Sequence, residues 1–197
     1  MSNNISGISL SGKQVTLRPI ERTDYRVLYS WRVDPCWLYL WSNSRRLVTY
    51  EEFIANVEKS WQTNIDMWML VISKDTESPV GFVYNYDTNI IDGHTFLTMF
   101  VAPDSRSQGI GRETGALFVN YLMGYFPFKK LYADVYEFNN VSQLFISNYG
   151  FVKEGFFPQH RYFLGGYHGM YRLALYREKW DDLIELFVAN RRSISMP

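Results

Sequence analysis

The sequence predicts an α+β fold, a mixed and mostly antiparallel sheet flanked by helices. Three observations predict it. Segments of strand and helix character follow the order strand, two helices, three strands, helix, strand, helix, two strands. The three middle strands are joined by connections too short for a crossover, so they run antiparallel. The 197 residues, 47% hydrophobic and 20% charged, suit one domain that buries its own core.

Residues 1–12 are small and polar and read as an N-terminal tail, leaving residues 13–197 as a single domain. Residues 15–20 form the first strand, with Pro19 marking its end or a sheet edge. Thr23-Asp24 offers an N-cap for a helix carrying Tyr25, Leu28 and Tyr29, and Asp34-Pro35 stops it. Thr49-Tyr50-Glu51-Glu52 is a capping box that opens a second helix, with Phe53, Ile54, Val57 and Trp61 on one face. Residues 67–73, 79–86 and 95–101 are the three middle strands, the last two joined by the turn Ile91-Asp92-Gly93-His94. A polar loop, residues 102–108, leads to a helix opened by Gly109-Ile110-Gly111. Residues 131–136 form a strand. Asn139 or Asn140 then caps a short helix that Gly150 ends at its C′ position. Residues 151–163 and 166–176 pair as a hairpin. A last helix over residues 178–192 has Asp181 and Asp182 early and Arg191-Arg192 late, matching its dipole.

Composition excludes several functions. Twenty Lys and Arg balance twenty Asp and Glu, so the chain is not a nucleic-acid binder held by phosphate charge. Cys36 is the single cysteine, which forbids an intramolecular disulfide and fits a reducing, cytoplasmic setting. No basic segment followed by an apolar run marks a signal peptide. The apolar stretch over residues 116–128 is interrupted by Asn120, Gly124 and Pro127 and falls short of the ~18 to 20 residues a membrane span needs. His94, His160, His168 and Cys36 lack metal-ligand spacing, so no metal is expected. The unusual feature is 6 Trp, 15 Tyr and 14 Phe, enough to build a core and also to line a ligand cleft.

The sharpest local signal is Arg106-Ser107-Gln108-Gly109-Ile110-Gly111. Glycines between a strand and a helix let backbone N–H groups turn inward, and the helix N-terminus adds positive dipole, which together favour an anion such as pyrophosphate. Arg106 adds a guanidinium suited to phosphate oxygens. Three readings are open: glycines that merely ease the start of the helix, a dinucleotide loop, or an acyl-CoA pyrophosphate loop. A dinucleotide fingerprint needs a third glycine where Thr114 stands, directly after the first strand of a βαβ array. No Gly-Lys-Ser/Thr follows, so it is not a P-loop.

Arg106-x-x-Gly109-x-Gly111 resembles the Arg/Gln-x-x-Gly-x-Gly/Ala signature of the GNAT superfamily of N-acetyltransferases. Other segments resemble the same family in the same order: Leu17-Arg18-Pro19 with Asp24 and Trp31-Arg32-x-Asp34-Pro35, then Pro79-Val80-Gly81-Phe82. Next come Asn139-x-x-Ser142 with Gly150-Phe151-x-x-Glu154-Gly155, and Tyr176-Arg177-Glu178-Lys179-Trp180. The resemblance spans residues 15–180. It points to the branch that holds ribosomal-protein N-terminal and small-amine acetyltransferases.

The resemblance implies a GNAT-like sheet that splays between the strands at residues 95–101 and 131–136, with acetyl-CoA as the acyl-donor co-substrate. Met99, Phe100 and Val101 would contribute backbone contacts to pantetheine. Arg106, Ser107, Gln108, Gly109, Ile110, Gly111 and Arg112 would cradle the pyrophosphate, and Asn139 and Ser142 would face the other arm. An amine would attack the thioester directly in a ternary complex. That needs a base or water relay, a backbone donor for the oxyanion near Phe100 or Val101, and a donor for the departing thiolate.

The sequence also departs from the family. The Tyr general acid many members carry is replaced by Ile146, and the Glu on the strand before the loop by Phe96. Candidate replacements are Glu137, His94, Asp92 and Ser142, with Tyr136 and Tyr84 behind them. Trp37, Tyr39, Tyr84 and Tyr86 are candidates to line the acceptor site. The expected partner is a small-molecule primary amine; a homodimer is left open. The alternatives are a protein N-terminus as acceptor, or an acyl-CoA-binding sensor with little catalysis.

Overall fold

The computed structural model describes residues 9–35, 37, 46–60, 65–106 and 109–180. Its strands are β1 (Leu10–Ser11), β2 (Val15–Pro19), β3 (Trp68–Ser73), β4 (Pro79–Asn89), β5 (His94–Val101), β6 (Lys130–Tyr136), β7 (Val152–Phe163) and β8 (Gly166–Tyr176). Its helices are α1 (Tyr25–Arg32), α2 (Tyr50–Ser60), α3 (Ile110–Tyr125) and α4 (Asn140–Ser147). The eight strands follow the order β1-β2-β3-β4-β5-β6-β8-β7. The β5–β6 pair is parallel and its register runs from His94 opposite Lys130 to Phe96 opposite Tyr132, within the first three residues of each strand. The α+β class is the one the sequence predicts, and the order of the elements matches it apart from the added β1. The chain divides into two compact units, Met1–Asn85 with Thr98–Phe118, and Tyr86–Leu97 with Val119–Pro197.

In the first unit, Ile20, Tyr25, Leu28, Phe53, Leu70, Phe82 and Phe100 form a buried cluster. The turn from β2 into α1 is tied down by Arg18, whose guanidinium donates two hydrogen bonds of 2.7 Å to the Asp24 carboxylate. That pairing holds the Arg18 pKa up, against the opposing effect of its partial burial. Asp24 also accepts the Glu21 N–H at 2.8 Å. Asp24 holds the predicted N-cap position of α1, but its side chain makes no cap bond there: a 3-10 turn (Arg22–Asp24) precedes the helix, and the carboxylate serves Arg18 and Glu21. At α2 the Thr49 hydroxyl accepts the Glu52 N–H at 3.2 Å, as a capping box requires. Trp61 lies outside the described residues. The predicted tail contains the edge strand β1, which pairs antiparallel with β2.

In the second unit, β6 alternates strictly: Leu131, Ala133 and Val135 are buried while Lys130, Tyr132, Asp134 and Tyr136 are half-buried. Asn139 caps α4 by accepting the Ser142 N–H at 3.2 Å. The left-handed Gly150, φ 79°, comes one residue later than the C′ position predicted, because Asn148 takes the C-cap. The β7–β8 ladder breaks between Phe157 and Arg161, where Pro158 lacks an N–H to donate. The chain then turns helical at residues 177–180, and the rest of the predicted last helix lies outside the described residues. Arg177 closes the end of α3, donating to the carbonyls of Met123 at 2.9 Å, Phe126 at 2.7 Å and Phe128 at 2.6 Å. This is the physical work of the Tyr176-to-Trp180 segment.

Candidate functional site

In the first unit the glycine loop is built from the end of β5. The Ala102 N–H donates to the Val80 carbonyl at 2.8 Å, and a 3-10 turn (Pro103–Ser105) follows. Gly81 makes the approach of β4 possible: a Cβ there would stand 2.2 Å from the Phe100 carbonyl oxygen. Gly109 has φ 83°, the left-handed region that favours glycine, and α3 starts at the next residue. The first helical bond runs from the Glu113 N–H to the Gly109 carbonyl at 3.0 Å, so earlier N–H groups of the turn have no acceptor inside the helix. Ser107 and Gln108 lie outside the described residues. Arg106 donates Nε–H to the Val101 carbonyl at 3.0 Å, and its guanidinium lies 3.9 Å over the Trp37 ring.

Sequence reasoning missed Glu113. Its carboxylate accepts the backbone N–H groups of Lys13, of Gln14 at 2.7 Å and of Val15 at 3.0 Å. The turn between β1 and β2 is thereby fastened to the first turn of α3. It brings the Gln14 side chain to Gly109, where a Cβ would lie 2.9 Å from Gln14 Oε1. A Glu in a first helical turn is ordinary dipole complementation, and no local spacing reveals partners a hundred residues away.

In the second unit Glu137 follows β6. Its N–H donates to the Gly169 carbonyl at 2.9 Å, and its Oε1 accepts the Gly169 N–H at 2.7 Å. The Gln143 side chain donates to the Glu137 carbonyl at 2.8 Å. His168 was also missed; its Nδ1 lies 3.9 Å from Glu137 Oε1 and its Nε2 3.2 Å from the Phe163 carbonyl. Asn139 and Ser142 stand on the adjoining helix start. His94 is elsewhere. It begins β5 opposite Lys130, edge-on to Tyr132 at 5.6 Å, about six strand residues or ~20 Å from the end of β6. Asp92 is engaged within its turn, exchanging bonds of 2.6 and 2.9 Å with Asn89. The structure thus groups Glu137, Asn139 and Ser142 and leaves His94 and Asp92 apart from them.

Among the acceptor candidates, Trp37 and Tyr84 pack against the first unit's core, Tyr84 stacked on Trp68 at 3.8 Å. Tyr86 lies in the second unit, 5.4 Å from Phe96, whose neighbours include Tyr132 at 4.9 Å, the Arg172 guanidinium at 4.6 Å and the His94 ring at 6.4 Å. Phe96 is buried in that stack. Tyr39 lies outside the described residues. Among the described residues no cluster of His, Cys, Asp and Glu is placed to hold a metal, and no helix is long and apolar enough to cross a membrane.

A mixed sheet of this order, with a glycine turn at the start of the helix that follows β5, is the architecture of the acyl-CoA-dependent N-acetyltransferases. The acetyltransferase (GNAT) domain family matches residues 14–152, and the chain belongs to that family. Spermidine N-acetyltransferase from Vibrio cholerae in complex with CoA and spermine has the same fold, with a TM-score of 0.79 at 21% identity over 85% of this chain and 98% of that one. Its dodecameric form in an intermediate state gives 0.72 at 20% identity, over 85% and 96%. A chimera of the same enzyme gives 0.78 at 20% identity, over 86% and 99%. No curated protein matches the sequence. The chain is an N-acetyltransferase with acetyl-CoA as co-substrate.

Proposed function

We propose that the chain acetylates a primary amine of a small molecule, with donor and acceptor bound together. The observation that carries this reading is Gly109 at φ 83°, immediately before α3. Such a turn gathers N–H groups at the positive end of the helix, which fits a pyrophosphate. Gly111 supports it. Among the described residues a Cβ there would make only ordinary contacts, 3.5 Å to Val101 and 3.6 Å to Met99, so packing against them does not require glycine. A phosphate lying against the turn would. The spermine named with the Vibrio cholerae structure favours a small amine over a protein N-terminus.

Acetyl-CoA, when bound, supplies an activated acetyl group and a thiol leaving group. The chain's own residues bind and orient. Backbone at Met99, Phe100 and Val101 would line the donor, and a backbone N–H near Phe100 or Val101 would donate to the acetyl oxygen. Asn139 and Ser142 enter through the family resemblance alone. Of the candidate bases, Glu137 is favoured. It stands beside the helix start that carries Asn139 and Ser142, whereas Asp92 and His94 lie at the start of β5, His94 among aromatic rings.

Calorimetric titration with acetyl-CoA, beside a Gly109→Trp variant that fills the turn, tests the reading. Saturable binding that the variant loses supports the donor site, and release of free thiol with members of an amine panel then identifies the acceptor. Absence of binding by the wild-type protein would overturn it.

A further inference from the structure

We propose that Trp37 is a positioning residue for the donor: its indole face holds the Arg106 guanidinium in place for the pyrophosphate. The inference rests on the donor reading above. The sequence had placed Trp37 with the aromatic side chains that line the acceptor. The geometry points to the other substrate, because the Arg106 guanidinium lies 3.9 Å over the Trp37 ring and its Nε–H is fixed on the Val101 carbonyl at 3.0 Å. Trp37 is itself anchored. Its N–H donates to the Asp34 carbonyl at 3.0 Å, and its ring meets Phe100 edge-on at 6.2 Å. Phe100 in turn packs on Phe82 at 5.3 Å and Trp31 at 5.4 Å. An aromatic series thus runs from the buried core to the cation of the loop.

Stacking engages the faces of a guanidinium, while its N–H donors lie in the plane and point sideways. A stacked Arg106 therefore keeps in-plane donors directed at an anion and gives up its rotamer freedom before the ligand arrives. Affinity gained this way is pre-organisation. It depends on Arg106 and on a phosphate, and on nothing else Trp37 does.

Calorimetry with two ligands separates the roles: acetyl-CoA, and S-acetylpantetheine, which lacks the pyrophosphate. Trp37→Leu is expected to weaken acetyl-CoA binding about tenfold, and Trp37→Phe, which keeps an aromatic face, less than about threefold. In an Arg106→Gln background Trp37→Leu adds no further loss, and S-acetylpantetheine binds wild type and Trp37→Leu alike. Three results would overturn the proposal: wild-type affinity in Trp37→Leu, the same loss without Arg106, or an equal loss for S-acetylpantetheine. Wild-type protein that binds no acetyl-CoA would instead overturn the donor reading. The Phe variant keeps the test open should Trp37→Leu fail to fold.

Discussion

Gly109 and Gly111 stand two residues apart and answer to different forces. Gly109 is required by the backbone, so Gly109→Ala forces a Cβ into the left-handed region and should lower stability by about 1–2 kcal/mol. Gly111 is helical, and among the described residues the space beside it admits a methyl group. Gly111→Ala should therefore unfold no earlier than wild type, since alanine is the better helix former, yet bind acetyl-CoA less well. Thermal unfolding without ligand, set beside calorimetric affinity, measures both; undiminished affinity in Gly111→Ala would remove the argument from its missing side chain. Glu137 allows a similar separation. Glu137→Gln keeps an oxygen to accept the Gly169 N–H but loses the basic carboxylate. If Glu137 takes the amine proton, kcat should fall about 100-fold with acetyl-CoA affinity unchanged. A fall of less than about threefold would pass the role to water or to an amine that arrives neutral. At this scale the sequence displays what one residue dictates to its own backbone. Glycines before a helix are such a case. The pairing of Glu137 with Gly169 and His168 comes from a strand far along the chain, and nothing local to either marks it.

At the scale of elements, two ties span long distances. Glu113 on α3 collects three backbone N–H groups from the β1–β2 turn. Glu113→Ala leaves those donors without their carboxylate and should destabilise the protein by about 2 kcal/mol in urea unfolding. The other tie crosses β8: Lys130 on β6 donates to Glu154 on β7 at 2.8 Å, and the Tyr176 hydroxyl on β8 donates to the same carboxylate. Burial alone would raise the Glu154 pKa. The bonds from Lys130, Tyr176 and Tyr132 prevail and hold it below its ordinary value. Lys130 is held above its own, chiefly by Glu154, and so keeps its charge well into alkali. A carboxyl depressed in the folded state contributes stability that is complete above its unfolded pKa, about 4.3, and is lost as pH falls through the lower folded value. Lys130→Met should consequently cost more stability at pH 7 than at pH 3. Urea titrations at the two values compare the costs, and equal costs would show that the ion pair adds nothing. The elements themselves were legible because period and capping are local: the alternation of β6 and the box at Thr49 are both visible in a few residues. At the start of α1 the position of the cap was legible and its bonding was not: Asp24 stands at the N-cap, while its tertiary partner Arg18 claims the carboxylate.

For the whole molecule, the order of elements carried most of the information, since short connections leave the middle strands little choice of direction. What order does not convey is how the chain divides. The two units meet along the chain at three points: after Asn85, after Leu97 and after Phe118. None of these is a linker. The first falls inside β4, the second inside β5 and the third inside α3. Independent domains are normally joined through exposed, irregular segments that either can lose without harm to the other. Here the melting of one unit must cut the ladder of two strands and the hydrogen bonds of a helix in the middle. The expectation is one cooperative unit over residues 13–197. Scanning calorimetry should give a single transition, with its calorimetric and van't Hoff enthalpies equal. Saturating acetyl-CoA should move that transition upward as a whole; at 100 times its dissociation constant the added stability is about 2.7 kcal/mol. Two transitions, with only the one belonging to the glycine-loop unit moved by the donor, would show that the units fold separately despite the elements they share.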